Sequence, residues 1–69
     1  MTKWQLMNIM NDIEDDDKVR ITINGRKSFE LKNHSYNFTS RTFEIYDINK
    51  RLIFAHQYSN IRTVAISKI

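Results

Sequence analysis

The chain contains no cysteine and no proline, and Gly25 is its only glycine. Without cysteine, disulfide staples and thiolate zinc sites are excluded. A lone glycine excludes a glycine-rich phosphate loop, and together with the missing proline it argues against low complexity and disorder. No apolar run approaches the ~20 residues that span a bilayer, and no basic-then-apolar leader opens the sequence. These features predict a cytoplasmic protein with no membrane association. A chain of 69 residues forms one small domain that buries only about 60% of its unfolded surface. Such a domain needs a dense core or a partner, so a homo-oligomer is among the expected states.

What the chain has is β-branched and aromatic residues and an uneven charge. Ten isoleucines and seven asparagines, with few Ala, Gly and Pro, match AT-rich codon usage and suggest a low-GC bacterium, phage or plasmid as source. The net charge of +3 hides a division. Residues 1–17 carry Lys3 against Asp12, Glu14, Asp15, Asp16 and Asp17, a balance of −4, whereas residues 18–69 carry ten bases against Glu30, Glu44 and Asp47, a balance of +7. A basic body beside an acidic segment attracts polyanions or acidic proteins over roughly a Debye length.

Leu6, Met7, Ile9, Met10 and Ile13 share one stripe at helical spacing, with Trp4 at its flank. The spacing predicts an amphipathic helix over about 2–14, capped by Thr2 and ended by the carboxylates, which are unfavourable at the negative end of the helix dipole. From Lys18 the period changes to two, predicting strands over about 18–23 and 27–32. Asn24-Gly25 between them is a hairpin signal. Placing Val19, Ile21, Phe29 and Leu31 on one face requires an odd loop of three or five residues, with Gly25 left-handed in a bulge. Residues 33–41 read equally as a long loop or a ragged strand. Further strands are predicted over about 42–47, 51–58 and 63–67, with a turn at residues 47–50 that sets Ile45 opposite Leu52 and Phe43 opposite Phe54. Residues 51–58 are apolar on both faces, as expected of a centrally placed strand. The fold class is α+β: an N-terminal amphipathic helix and about five antiparallel strands in a strongly bent sheet or small barrel, forming a single domain over 1–69.

The order of a short helix before five bent strands, with Phe54-Ala55-His56 and then Tyr58-Ser59-Asn60-Ile61 near the end, resembles the Sm-like fold of bacterial RNA chaperones. The resemblance is one of topology and implies a small SH3/Sm-like barrel. Those proteins carry a glycine in the second strand region where residues 28–31 have none, and no binding residue is transferred.

Catalysis and metal binding find little support. Asp15, Asp16 and Asp17 lack the alternating ligands, glycine and distal Glu of a calcium loop, so a solvated turn is the plain reading. His34 and His56 have no cysteine companions, and His56 falls on the inward face of its strand by parity, a core or boundary histidine. No strained nucleophile turn is visible. No enzyme activity, metal or cofactor is therefore expected.

Arg20, Arg26, Lys27, Arg41 and Arg62 are candidate phosphate contacts, and Tyr36, Phe38 and Tyr46 are candidate base-stacking platforms. Cations that track phosphates beside aromatic faces that stack bases are what RNA or single-stranded DNA requires of a small β surface. The plain alternative puts these aromatics in the core. The expected function is a non-enzymatic module that binds nucleic acid through a basic β surface. The alternative is a phage- or plasmid-type accessory protein that modulates a host protein through Trp4, Met7, Ile53 and the acidic Asp15, Asp16 and Asp17, since Trp and Met are enriched at interfaces.

Overall fold

The computed structural model describes residues 1–13, 18–32 and 34–69. Helix α1 (Lys3–Asn11) opens on a complete capping box: the Thr2 hydroxyl accepts from the Gln5 N–H, and the Gln5 side chain accepts from the Thr2 N–H. Two of the orphan donors of the first turn are thereby satisfied. Six strands follow: β1 (Val19–Ile23), β2 (Lys27–Glu30), β3 (Ser35–Phe38), β4 (Thr42–Tyr46), β5 (Leu52–Gln57) and β6 (Val64–Lys68), with a 3-10 turn (Tyr58–Asn60) between the last two. They form two antiparallel three-stranded sheets, ordered β2-β1-β6 and β3-β4-β5. The chain is therefore α+β as expected, with its strands divided between two sheets.

Both sheets and the helix supply one core, in which Leu6 and Met10 of α1 meet Ile21 and Ile23 of β1, Phe43 and Ile45 of β4, and Phe54, Tyr58 and Ile61. No described helix is long and apolar enough to cross a membrane.

The first hairpin follows the sequence closely. Ile21 pairs with Phe29 and Ile23 with Lys27, leaving a three-residue loop, Asn24-Gly25-Arg26. Gly25 is left-handed at φ 66, but so is Asn24 at φ 55, and the ladder continues without a register shift. Two consecutive left-handed residues turn the chain and no bulge is needed; Asn is among the few L-residues that tolerate this region. The open segment 33–41 contains β3, which pairs with β4 so that Tyr36 faces Ile45 and Phe38 faces Phe43.

The second hairpin departs from expectation in its register. Ile45 faces Phe54, Phe43 faces His56, and Tyr46 faces Leu52, so Ile53 is an extra residue on β5. The cause lies in the turn. Asp47 Oδ1 accepts from the N–H groups of Asn49 and Arg51, the Asp47 N–H donates to the Arg51 carbonyl, and Lys50 is left-handed at φ 62. This tighter, side-chain-braced turn sets Asp47 opposite Arg51 and shifts the return strand by one position, and Ile53, as an extra residue, shifts it by one more. In the sheet order β5 is the edge strand, not a central one as expected. Phe54 is buried, whereas Leu52 is 51% and Ile53 42% exposed.

Candidate nucleic-acid interface

The connection from β5 to β6 is where distant parts of the chain meet. Tyr58 is buried, and its hydroxyl lies 2.7 Å from the Thr39 carbonyl and 2.8 Å from the Thr42 carbonyl, which holds the β3–β4 turn. That turn is braced internally by the Thr39 hydroxyl, which accepts from the Thr42 N–H at 2.8 Å. The Met1 amino group donates to the carbonyls of Tyr58 and Ile61, drawing the start of α1 to the same connection. On the other side Asn24 acts as a clasp. Its Nδ2 donates to the Asn60 carbonyl at 2.9 Å, and its Oδ1 accepts from the N–H groups of Arg62 at 2.7 Å and Thr63 at 3.2 Å. The Asn24 N–H also donates to the Thr63 carbonyl at 2.9 Å. Four hydrogen bonds thus tie the β1–β2 turn to residues 60–63, and the left-handed backbone at Asn24 aims the amide there.

This clasp brings Arg26 and Arg62 onto one open hollow of about 410 Å³ that is lined also by Asn24 and Asn60 and, among the described residues, by no carboxylate. Both arginines are exposed, as is Lys27, the next residue after the turn. Guanidinium groups with free donors beside amides can take planar anions such as phosphate bidentately. Arg62 also borders a second hollow of about 560 Å³ with Met1, Gln5, Asn8 and Ile9.

The other expected site residues fall elsewhere. Arg20 lies on the outer face of β1 in an ion pair with Glu30 at 3.1 Å, the only one among the described residues. Arg41 is exposed on the turn held by the Tyr58 hydroxyl. Tyr36 and Phe38 lie edge to face at 5.8 Å and pack toward Phe43, with Met7, Met10 and Ile13 across a narrow gap. Phe38 is therefore engaged with the core and Met7 is half-buried beside it, whereas Tyr36 remains exposed at 37%. Tyr46 lies on the outer face of β4, where its hydroxyl donates to Glu44 at 2.8 Å. This hydrogen bond, which only the neutral phenol can donate, raises Tyr46 above its ordinary pKa, with desolvation and the nearby Glu44 charge acting in the same direction. Burial raises Tyr58 in the same direction.

Trp4 is 70% exposed on α1, and Ile53 lies on the β5 edge. Asp15, Asp16 and Asp17, expected at a partner interface, lie outside the described residues. His56 lies on the inward face, opposite Phe43 and with its ring on Phe54 at 4.4 Å, but at the edge of the sheet it is exposed, and its Nδ1 contacts the Ala55 carbonyl. His34 contacts the Glu30 carbonyl through Nδ1 and packs edge-on against Phe29.

Sequence reasoning named the arginines by type and missed what assembles them. Asn24 looked like a turn residue only, Tyr58 like the last residue of the strand over 51–58, and Asn60 like part of the short connection that follows it; their roles depend on partners 16 to 39 positions away. No family model, curated protein or solved structure matches this chain.

Proposed function

We propose that this protein is a non-enzymatic, cytoplasmic binding module that engages nucleic acid, RNA or single-stranded DNA, through its basic surface. The observation that supports this reading is the hollow onto which the Asn24 clasp brings both Arg26 and Arg62, with no carboxylate among the described residues that line it. Lys27 adjoins it in sequence and is exposed, whereas Arg41 is exposed on the separate β3–β4 turn. Phosphates bound there would release condensed counterions, so binding must weaken steeply with salt. Fluorescence anisotropy with labelled single-stranded RNA and DNA at ~50 and ~200 mM salt tests this. Binding that is tight in the first condition and falls by an order of magnitude or more in the second is expected; no binding at ~50 mM salt removes the reading.

A second reading rests on a different surface. The exposed Leu52 and Ile53 on the free edge of β5, beside Tyr46, suit strand addition by another protein chain or by a second copy. In this form the protein is a phage- or plasmid-type accessory factor acting on a host protein, or a homo-oligomer. Sedimentation across a range of concentrations tests self-association, and recovery of a stoichiometric complex from the native host tests the partner. The two readings use separate surfaces and can both hold.

A further inference from the structure

Arg62 belongs to two hollows at once, and their linings differ in chemistry. One is polar and cationic, formed with Asn24, Arg26 and Asn60. The other has apolar material from Met1 and Ile9 and the side-chain amides of Gln5 and Asn8 along α1. Gln5 already spends its carbonyl oxygen on the capping box, whereas Asn8 is exposed on the next turn of the helix. Resting on the nucleic-acid reading above, we infer that the two hollows form a single groove for one unpaired strand: phosphate on the Arg26–Arg62 side, a base on the α1 side.

The division follows from what each part of a nucleotide needs. A phosphate wants guanidinium donors and no competing carboxylate, and among the described residues the first hollow supplies both. A base wants an apolar surface for its flat face and donors and acceptors for its edge. Ile9 and Met1 offer the surface, and the Asn8 amide carries both a donor and an acceptor. Arg62, shared by the two hollows, sits where backbone meets base. A duplex cannot use the second half, because its bases are stacked on both faces and paired at their edges. The groove therefore selects single strands, by shape and not only by charge.

The test uses the full chain and 5′-labelled homopolymers of about ten nucleotides, as RNA and as DNA, titrated at several salt concentrations. Arg26→Ala and Arg62→Ala should each flatten the salt slope by about one and weaken binding roughly five- to tenfold at ~100 mM salt. Arg62→Lys should keep the slope, which separates lost charge from lost fold. Asn8→Ala should leave the slope intact and change the ranking among the homopolymers, and Arg51→Ala, on the distant β4–β5 turn, should alter neither. A duplex of the same length should compete at least tenfold less well. Whichever sugar binds tighter identifies the natural strand. Two results are decisive against the groove: a wild-type protein that binds with a steep salt slope that Arg26→Ala and Arg62→Ala leave unchanged, or duplex competing as well as single strand. Either would leave the broader nucleic-acid reading standing, whereas no wild-type binding at ~50 mM salt would remove both.

Discussion

Strands β1 and β5 are both rich in large apolar residues, yet the fold treats them in opposite ways. In β1, Val19, Ile21 and Ile23 are buried, and the strand lies between β2 and β6. Its alternate residues, Arg20 and Thr22, face outward and are matched by Glu30 and Ser28 on β2, to which they are hydrogen-bonded. In β5 only Phe54 is buried, the strand is an edge, and Leu52, Ile53 and Ala55 face solvent. An apolar pattern in a sequence states a demand for burial, and in β1 the chain meets that demand alone. In β5 it does not. Proteins usually blunt an exposed edge with proline, lysine, a short strand or a bulge; here the bulge at Ile53 is present, but it presents an isoleucine to water. The lesson is that the unmet half of the pattern marks where a second molecule can complete the structure.

The largest predicted effect comes from setting the two strands against each other. Ile21→Ala removes fully buried methyl groups and should cost about 2–5 kcal/mol, whereas Ile53→Ala should stay within about 0.5 kcal/mol in dilute protein. A domain of this size has in total roughly 3–10 kcal/mol, so the first variant should be largely unfolded in urea titrations where the second resembles wild type. If Ile53→Ala proves as costly as Ile21→Ala, β5 is already covered in solution by another chain.

How far the sequence carried this contrast depends on the element. The register of the first hairpin was legible because alternation is strict on both sides and one glycine marks the turn, so parity alone pairs Ile21 with Phe29. The helix was legible in its stripe and its Thr2 cap, although it ends at Asn11 and not near residue 14. The second hairpin was not, because the apolar residues of β5 occur on both parities and cannot tell one register from the next. There the Asp47 side chain and the left-handed Lys50 decide, and neither leaves a periodic signal. The candidate site was legible as residue types only. That Arg26 shares a hollow with Arg62, while Arg20 is occupied by Glu30, follows from the Asn24 clasp and from a cross-strand pair.

A smaller effect belongs to the point where β5 hands the chain on to β6. The Tyr58 hydroxyl proton is shared between the Thr39 and Thr42 carbonyls; Tyr58→Phe removes this donor from the half-buried Thr39 carbonyl, while the Thr42 carbonyl keeps the Thr39 N–H, at a cost of about 1–3 kcal/mol. The loss should depend on pH. Burial holds the folded-state pKa of this phenol above that of the unfolded chain, so the neutral hydroxyl's contribution is fully present below about pH 10 and is lost as pH rises through the folded value. The stability difference between wild type and Tyr58→Phe, measured by urea unfolding, should therefore be constant near neutrality and shrink in alkali. A difference that grows with pH would mean that the phenolate is the favoured form in the folded protein.

The smallest effect tests the outer face of β1, the polar counterpart of the exposed face of β5. Arg20 and Glu30 approach to 3.1 Å, but their side chains are 48% and 44% exposed, so water and salt screen the pair while both side chains give up rotamer freedom to make it. Arg20→Ala should change stability by no more than about 1 kcal/mol, and by less in ~0.5 M salt. Such a small value would mean that the outward face of β1 is neutral ground, satisfied by water as readily as by its own partners, and that the charged pair is there for solubility and register. The outer face of β5 has no such neutral alternative, since leucine and isoleucine gain nothing from water. A loss above ~2 kcal/mol for Arg20→Ala lies beyond what an exposed pair supplies; it would show that β1 is covered on its outer side too, and the distinction between a self-sufficient strand and an unfinished one would disappear.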